Sequence, residues 1–235
     1  MSDITPIAQV PRLVQEEALA PYLVKKIGPF SSYRMPVDAS NIAIADQVRE
    51  MHIQHLYNAG YRGYDKAIDQ ACHQSGVYLF VCRDSRIVLT TRVNYRSTQL
   101  FPFEMGLTDT GEQYQYNSPD LAADINTYSV DLRYIRRSSA LMLASLGELL
   151  REQGVVRLFC LADQNNLVIR RMYDMTGFHA SKDYTQPIHF ESFVNEVDGL
   201  PTRWCILEMS EQDILSLRDN TPGRKTRAQP AAISA

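Results

Sequence analysis

The stretch Val155-Val156-Arg157-Leu158-Phe159-Cys160-Leu161 constrains this chain most. Six of its seven residues are apolar, and they do not alternate with polar ones. A strand of that kind is buried on both faces, so it belongs inside a sheet with a layer packed on each side. Gly154 in front of it stops a helix expected over 138–153, whose Leu143, Leu146, Leu149 and Leu150 share one face. Asp163-Gln164-Asn165 behind it caps a second helix that runs to Met175 and is closed by Gly177. A strand is expected over 125–132, ahead of the first helix. A right-handed crossover then sets 125–132 and 155–161 side by side and parallel. Ligands of such sheets gather at the carboxyl ends of the parallel strands, here the turns after Leu132 and Leu161.

The first half supplies the remaining strands. Val77-Tyr78-Leu79-Phe80-Val81-Cys82 and Ile87-Val88-Leu89-Thr90-Thr91-Arg92-Val93 flank the polar turn Arg83-Asp84-Ser85-Arg86, which predicts an antiparallel hairpin. A short strand is expected over 33–37 and a last one over 204–209. Asp38-Ala39-Ser40 caps a helix reaching Gly60, with Ile44, Val48, Met51 and His55 at helical spacing, and a second helix is expected over 65–74. Residues 96–123 are polar and aperiodic; a loop of that length inside a domain is functional or locally structured. The fold class is thus α/β (α+β mixed sheet): a central mixed sheet, an antiparallel hairpin followed by a parallel β-α-β unit, helices on both faces. The expected divisions are an N-terminal arm over 1–30, partly helical around 13–20, one domain over 31–218, and a flexible basic tail over 219–235 carrying Arg224, Lys225 and Arg227.

Charge and composition exclude several classes. The chain has 24 Lys+Arg against 27 Asp+Glu, without the basic excess of a dedicated nucleic-acid binder. No run approaches the ~18 apolar residues of a membrane helix. The N-terminus has no basic segment followed by an apolar one, and Cys72, Cys82, Cys160 and Cys205 form no CxxC pair. Buried thiols in a reducing compartment, hence a cytoplasmic protein, are the expectation. His52 and His55 lie three apart on a helix with no third ligand nearby, so packing is expected there and no metal. The sequence leaves monomer and homodimer open.

Chemistry concentrates in the two turns. Arg133, Arg136 and Arg137 stand directly before a helix N-terminus, where unpaired N–H groups and the helix dipole favour an anion. Alone, the pattern reads first as an exposed basic loop with Ser138 or Ser139 as the cap. The second turn adds Asn166, Tyr173 seven residues on, and Gly177-Phe178 after four more. This spacing resembles the N-x(6)-Y-x(3)-G-F segment of the GCN5-related N-acyltransferases. The resemblance covers about 33–209, and its specific part is 128–178.

What that resemblance implies is transfer of an acyl group from a pantetheine thioester to an amine, such as an amino acid, by direct attack. Backbone groups near Val130 and Leu132 would bind the pantetheine amides. Arg133, Arg136, Arg137, Ser138, Ser139 and Ala140 would hold the donor's phosphates, and Asn166 would sit beside the pantetheine arm. Tyr173 would protonate the departing thiolate. The incoming amine needs a base; Glu104, Glu112, Asp124 and Asp131 are the nearby carboxylates, and Glu104, in Phe101-Pro102-Phe103-Glu104, is the one expected to face the acceptor.

Members of the family carry a glycine-rich turn where this chain has Arg133-x-x-Arg136-x-Ser138, which implies a grip by side chains or a donor other than free coenzyme A. Leu56-Tyr57-Asn58-Ala59-Gly60-Tyr61, the Asp65/Asp69 pair, Thr91-Arg92, Phe101-Pro102-Phe103-Glu104 and Asp124-Ile125 are similar to the subgroup of N-acyl amino acid synthases and acyl-homoserine-lactone synthases, with Thr127 in place of that subgroup's arginine. The donor implied is therefore a coenzyme A thioester or the phosphopantetheine of an acyl carrier protein, an acidic partner suited to the arginine turn. The alternative is a module that keeps the fold and binds the donor without catalysis.

Overall fold

The computed structural model describes residues 16–217. The chain enters through α1 (Glu16–Leu19) and pairs β1 (Leu23–Ile27) with β2 (Phe30–Pro36) around Gly28, whose φ of +58° suits a glycine. Next come α2 (Ile42–Asn58), β3 (Tyr61–Arg62), a π-helical turn (Asp65–Asp69) and α3 (Gln70–Cys72). The hairpin β4 (Val77–Arg83) and β5 (Arg86–Tyr95) follows, then α4 (Pro102–Met105) and β6 (Leu107–Thr108). The second half is β7 (Ala122–Val130), α5 (Ile135–Glu152), β8 (Arg157–Asp163), α6 (Leu167–Asp174), β9 (His179–Ala180), β10 (Ile188–Asn195), β11 (Pro201–Ser210) and α7 (Glu211–Ser216).

All these strands join one sheet in the order β1-β2-β4-β5-β7-β8-β11-β10-β3, with β6 on β10 and β9 on β11. Among the described residues β7 and β8 are its one parallel pair. Side-chain alternation along β4 builds the two faces. Leu79 and Val81 join Leu141, Leu146 and Leu150 of α5, whereas Tyr78, Phe80 and Cys82 join Val48 and Met51 of α2. The β4–β5 turn places Asp84 and Ser85 at φ +49° and +62°, the left-handed two-residue loop that matches strand twist. A third cluster, rich in rings, lies beside the central strands: Phe101 and Phe103 are fully buried against Phe159 and Tyr184.

The mixed sheet, the hairpin, the parallel unit and the two helical layers are as expected. Several boundaries differ. Residues 23–36 form a hairpin at the sheet's edge, so the expected division at residue 30 falls inside β2. The helix expected over 65–74 is broken into π, α and 3-10 (His73–Ser75) turns. The segment 96–123 is ordered by its buried aromatics and contains α4 and β6. Helix α5 starts at Ile135, three residues early, and β10 and α7 had no counterpart in the sequence reading. Residues 1–15 of the expected arm, residue 218 and the expected tail over 219–235 lie outside the described residues.

Candidate active site

Strands β7 and β8 pair only at their beginnings: Ala122 with Arg157, Ala123 with Leu158, Asp124 with Phe159 and Ile125 with Cys160. Beyond Ile125 they part. A bulge in β7 marks the parting. Across β5, Thr90 faces Ser129 while Arg92 faces Asn126, so Thr91 opposes both Thr127 and Tyr128. The extra residue bends the strand. Thr127 takes φ +66°, a left-handed conformation that costs a β-branched residue about 1–2 kcal/mol, and its buried hydroxyl has no partner among the described residues. The fork opens into a cavity of about 1290 Å³ whose wall is mainly apolar.

One wall carries Tyr173. Gly177, at φ +98°, closes α6, and Tyr173 packs its ring on Phe178 and near Tyr128 at centroid distances of 5.3 and 6.3 Å. The ring is buried, and Tyr173 lines the cavity. Burial pushes the phenol well above its ordinary pKa, with the charges of Cys160, Tyr128 and Asp124 acting the same way. Tyr173 therefore stays protonated and can donate. Asn166 caps α6, accepting the Ile169 N–H at 3.1 Å, and also lines the cavity.

Asp124 lines the cavity at the apex of the fork, on the opposite face of the sheet. It follows Ala122 and alternates with Ala123 and Ile125, which face α5. Its Oδ1 accepts from Asn126 at 2.8 Å, and its buried Oδ2 has no partner among the described residues. Burial pushes its carboxyl up to about 7, against the opposing effects of the Asn126 bond and the Arg92 charge. A carboxylate poised there suits proton transfer near neutrality. Also on the cavity wall, His52 shares a 2.6 Å hydrogen bond with Ser129, and burial, with the Arg92 charge, holds its pKa well below the usual imidazole value. Farther along the same face, Tyr61 donates to Asp163, and Trp204, also on the wall, has a buried indole N–H with no partner among the described residues.

The residues expected at the donor turn divide. Val130, Leu132 and Arg133 line the cavity. Arg133 is held by Asp131 at 2.5 Å, whereas Arg136 and Arg137 stand exposed on the first turn of α5. With α5 starting at Ile135, helix geometry leaves the Arg136 and Arg137 N–H groups over and takes those of Ser138, Ser139 and Ala140 into the helix. The Ser138 hydroxyl is buried on the Tyr134 carbonyl at 2.9 Å, and Ser139 bonds the Tyr128 hydroxyl at 2.9 Å. Glu104 is not on the cavity wall. Its buried carboxylate accepts the N–H groups of Phe101 and Tyr116, each at 2.9 Å, and pairs with Arg96 at 2.8 Å. Those partners occupy it structurally, so the fork brings Tyr173 together with Asp124, not with Glu104. Asp124 was visible as a carboxylate among apolar neighbours in a strand, a pattern that flags a buried charge.

No family model and no curated protein sequence matches the chain. Solved structures do. FeeM, an N-acyl amino acid synthase from uncultured soil microbes, is similar at a TM-score of 0.53 and 12% identity, over 81% of this chain and 95% of FeeM. TofI, in a ternary complex with an inhibitor and MTA, is similar at 0.51 and 16% identity, over 79% of this chain and 98% of TofI. TofI in an apo form gives 0.50 and 17%, over 79% and 95%. At such identities the likeness speaks for architecture, and the forked sheet of this chain is the fold of the GCN5-related N-acyltransferase superfamily.

Proposed function

We propose that this protein is an N-acyltransferase that moves an acyl group from a pantetheine thioester to an amine inside the fork. The observation that carries the reading is the parting of β7 from β8 after Ile125–Cys160, with Tyr173 on one side of the gap and Asp124 on the other. A pantetheine arm can lie along the edge of β7 that β8 leaves unpaired, with Val130 and Leu132 beside its amides and Asn166 across from it. The donor's phosphate end meets Arg133, Arg136 and Arg137, through guanidinium contacts and the two free N–H groups of α5.

The amine nitrogen attacks the thioester carbonyl and loses a proton to the free oxygen of Asp124. The carbon–sulfur bond breaks, and the departing sulfur takes the phenolic proton of Tyr173. The products are an amide and a thiol, and solvent returns the proton from Asp124 to Tyr173. The phenol suits this role because burial keeps it protonated, so its O–H can donate to the sulfur as charge develops there.

The size of the cavity and its apolar wall support an acyl chain longer than acetyl. Leu132, Leu167, Val168 and Met175 stand exposed around the mouth beside Arg133 and Arg171, which supports a donor carried on an acidic acyl carrier protein. The test is mass spectrometry of products after incubation with acetyl and long-chain donors, each as the coenzyme A and the carrier-protein thioester, plus an amine and amino-acid pool. An N-acyl product with stoichiometric thiol is expected. Donor binding without thiol release would identify a binding module instead.

A further inference from the structure

Arg92 is the largest side chain that the described fold buries completely. Its stem passes Gly76 so closely that a Cβ there would lie 2.7 Å from the Arg92 Cγ and Cδ, so the fold keeps a glycine to let it through. At its head, Nη1 donates to Asp69 at 2.7 Å and to the Tyr78 hydroxyl at 3.1 Å, and Nη2 donates to the Tyr64 hydroxyl at 3.1 Å. Asp69 is also held by Arg49. Two guanidiniums thus share one carboxylate, Arg92 from the interior and the partly exposed Arg49 from outside.

Arg92 reaches the cavity wall through Tyr64 and also through Asn126. The Nε of Arg92 donates to the Oδ1 of Asn126 at 2.8 Å. A guanidinium has no acceptor, so this contact fixes which end of the Asn126 amide is oxygen and forces its NH₂ group the other way. There Nδ2 donates to Asp124 at 2.8 Å and to Asn94 at 2.9 Å, and Asn94 is itself anchored on the Cys72 carbonyl at 2.9 Å. Asp124 is served on one oxygen, while the other is buried and has no partner among the described residues.

We infer that Asn126, locked by Arg92, is a positioning residue that holds the Asp124 carboxylate with its free oxygen toward the reacting amine. The inference rests on the reading of Asp124 as proton acceptor. A cation on the amide oxygen strengthens the amide's N–H as a donor, so the Arg92 charge reaches Asp124 through a chain of two hydrogen bonds. This bond offsets burial, which alone would keep Asp124 protonated and unable to take a proton. The other titratable groups facing Asp124 are Arg92 from β5, Cys72 from α3, Cys160 from β8 and Tyr173 from α6. Burial keeps both thiols and the phenol neutral. Arg92 and its relay are thus the groups that favour the anion.

The experiment is the pH profile of kcat/KM for wild type, Asn126→Leu, Asn126→Asp and Asp124→Asn, with thermal melts as a folding control. The wild type should gain activity as pH rises through the Asp124 ionisation, and D124N should lose at least about tenfold. N126L should move the acid limb up by about one pH unit, a tenfold loss at low pH that recovers in base. N126D keeps the shape and the Arg92 bond but sets a second carboxylate against Asp124, so it should move the limb further and serves if N126L does not fold. An acid limb unmoved in both variants, or a loss uniform across pH, overturns the positioning role while D124N still upholds the base. A fully active D124N overturns the base reading and this inference together.

Discussion

Ile125 faces Cys160 across the parallel register, and it is the last residue of β7 to have a partner on β8. Five further residues of β7 and three of β8 continue as strand. Each carries backbone donors and acceptors that a neighbouring strand would normally satisfy. A sheet interior leaves such a gap only where something else fills it, and an extended amide-bearing chain is the natural filler.

Tyr173 is held by its neighbours and needs no hydroxyl to stay in place, because Phe178 and Tyr128 pack its ring. Tyr173→Phe should therefore fold normally and bind the donor with little change in KM, while kcat falls at least about tenfold. Steady-state kinetics with direct thiol detection checks this. Turnover at the wild-type level would remove the phenol from the reaction.

Much of this site was legible because its signals are local. The apolar run of β8, the Asn166 cap, Tyr173 and Gly177 lie within 21 residues of one another. Arg92 was not legible as a buried charge, because Asp69 and Asn126 approach it from 23 and 34 positions away. Glu104 misled for a related reason. It caps α4 by accepting the Phe101 N–H, yet Phe101 has none of the Ser, Thr, Asp or Asn character that announces a helix start. The start of α5 shifted because Asp131 receives the Arg133 N–H and begins the helical turn before Ser138 is reached.

That structural role makes Glu104→Ala a stability variant. It strands two buried N–H groups and leaves Arg96 without its carboxylate. A loss of about 2–4 kcal/mol is expected, lowering Tm by roughly 5–15 °C, with the pH profile of the surviving activity unchanged. A changed acid limb at an unchanged Tm would return Glu104 to the chemistry.

The arginines at the mouth should separate by their partners. Arg133 is paired with Asp131, while Arg136 and Arg137 stand exposed, with no ion pair among the described residues. The double variant Arg136→Ala/Arg137→Ala should raise KM for a phosphate-bearing donor about tenfold at low salt and by much less at ~1 M salt, with kcat nearly constant. Ser138→Ala, whose hydroxyl serves the Tyr134 carbonyl, should instead show its effect in Tm. A KM independent of salt in the parent would place the phosphates elsewhere.

Asp124 should also leave a mark on stability. Its pKa lies near 7 in the fold against an ordinary carboxylate value of 3.8, chiefly through burial. Between those values the folded chain keeps a proton that the unfolded chain has released. The stability this group contributes is therefore complete below about pH 4 and is lost as pH rises through 7, by at most about 4 kcal/mol. Asp124→Asn keeps the shape and never ionises, so it escapes that loss. The advantage of D124N over wild type should grow by about 2–3 kcal/mol between pH 5 and pH 8, or roughly 5–10 °C in Tm. His52 works in the opposite sense, since its buried imidazole must be charged on unfolding in acid, but it is common to both proteins and cancels in the comparison. A Tm difference that stays constant across this range would mean that the Asp124 carboxyl is ionised in the fold at acid pH, and a group already ionised there would give no acid limb to the rate.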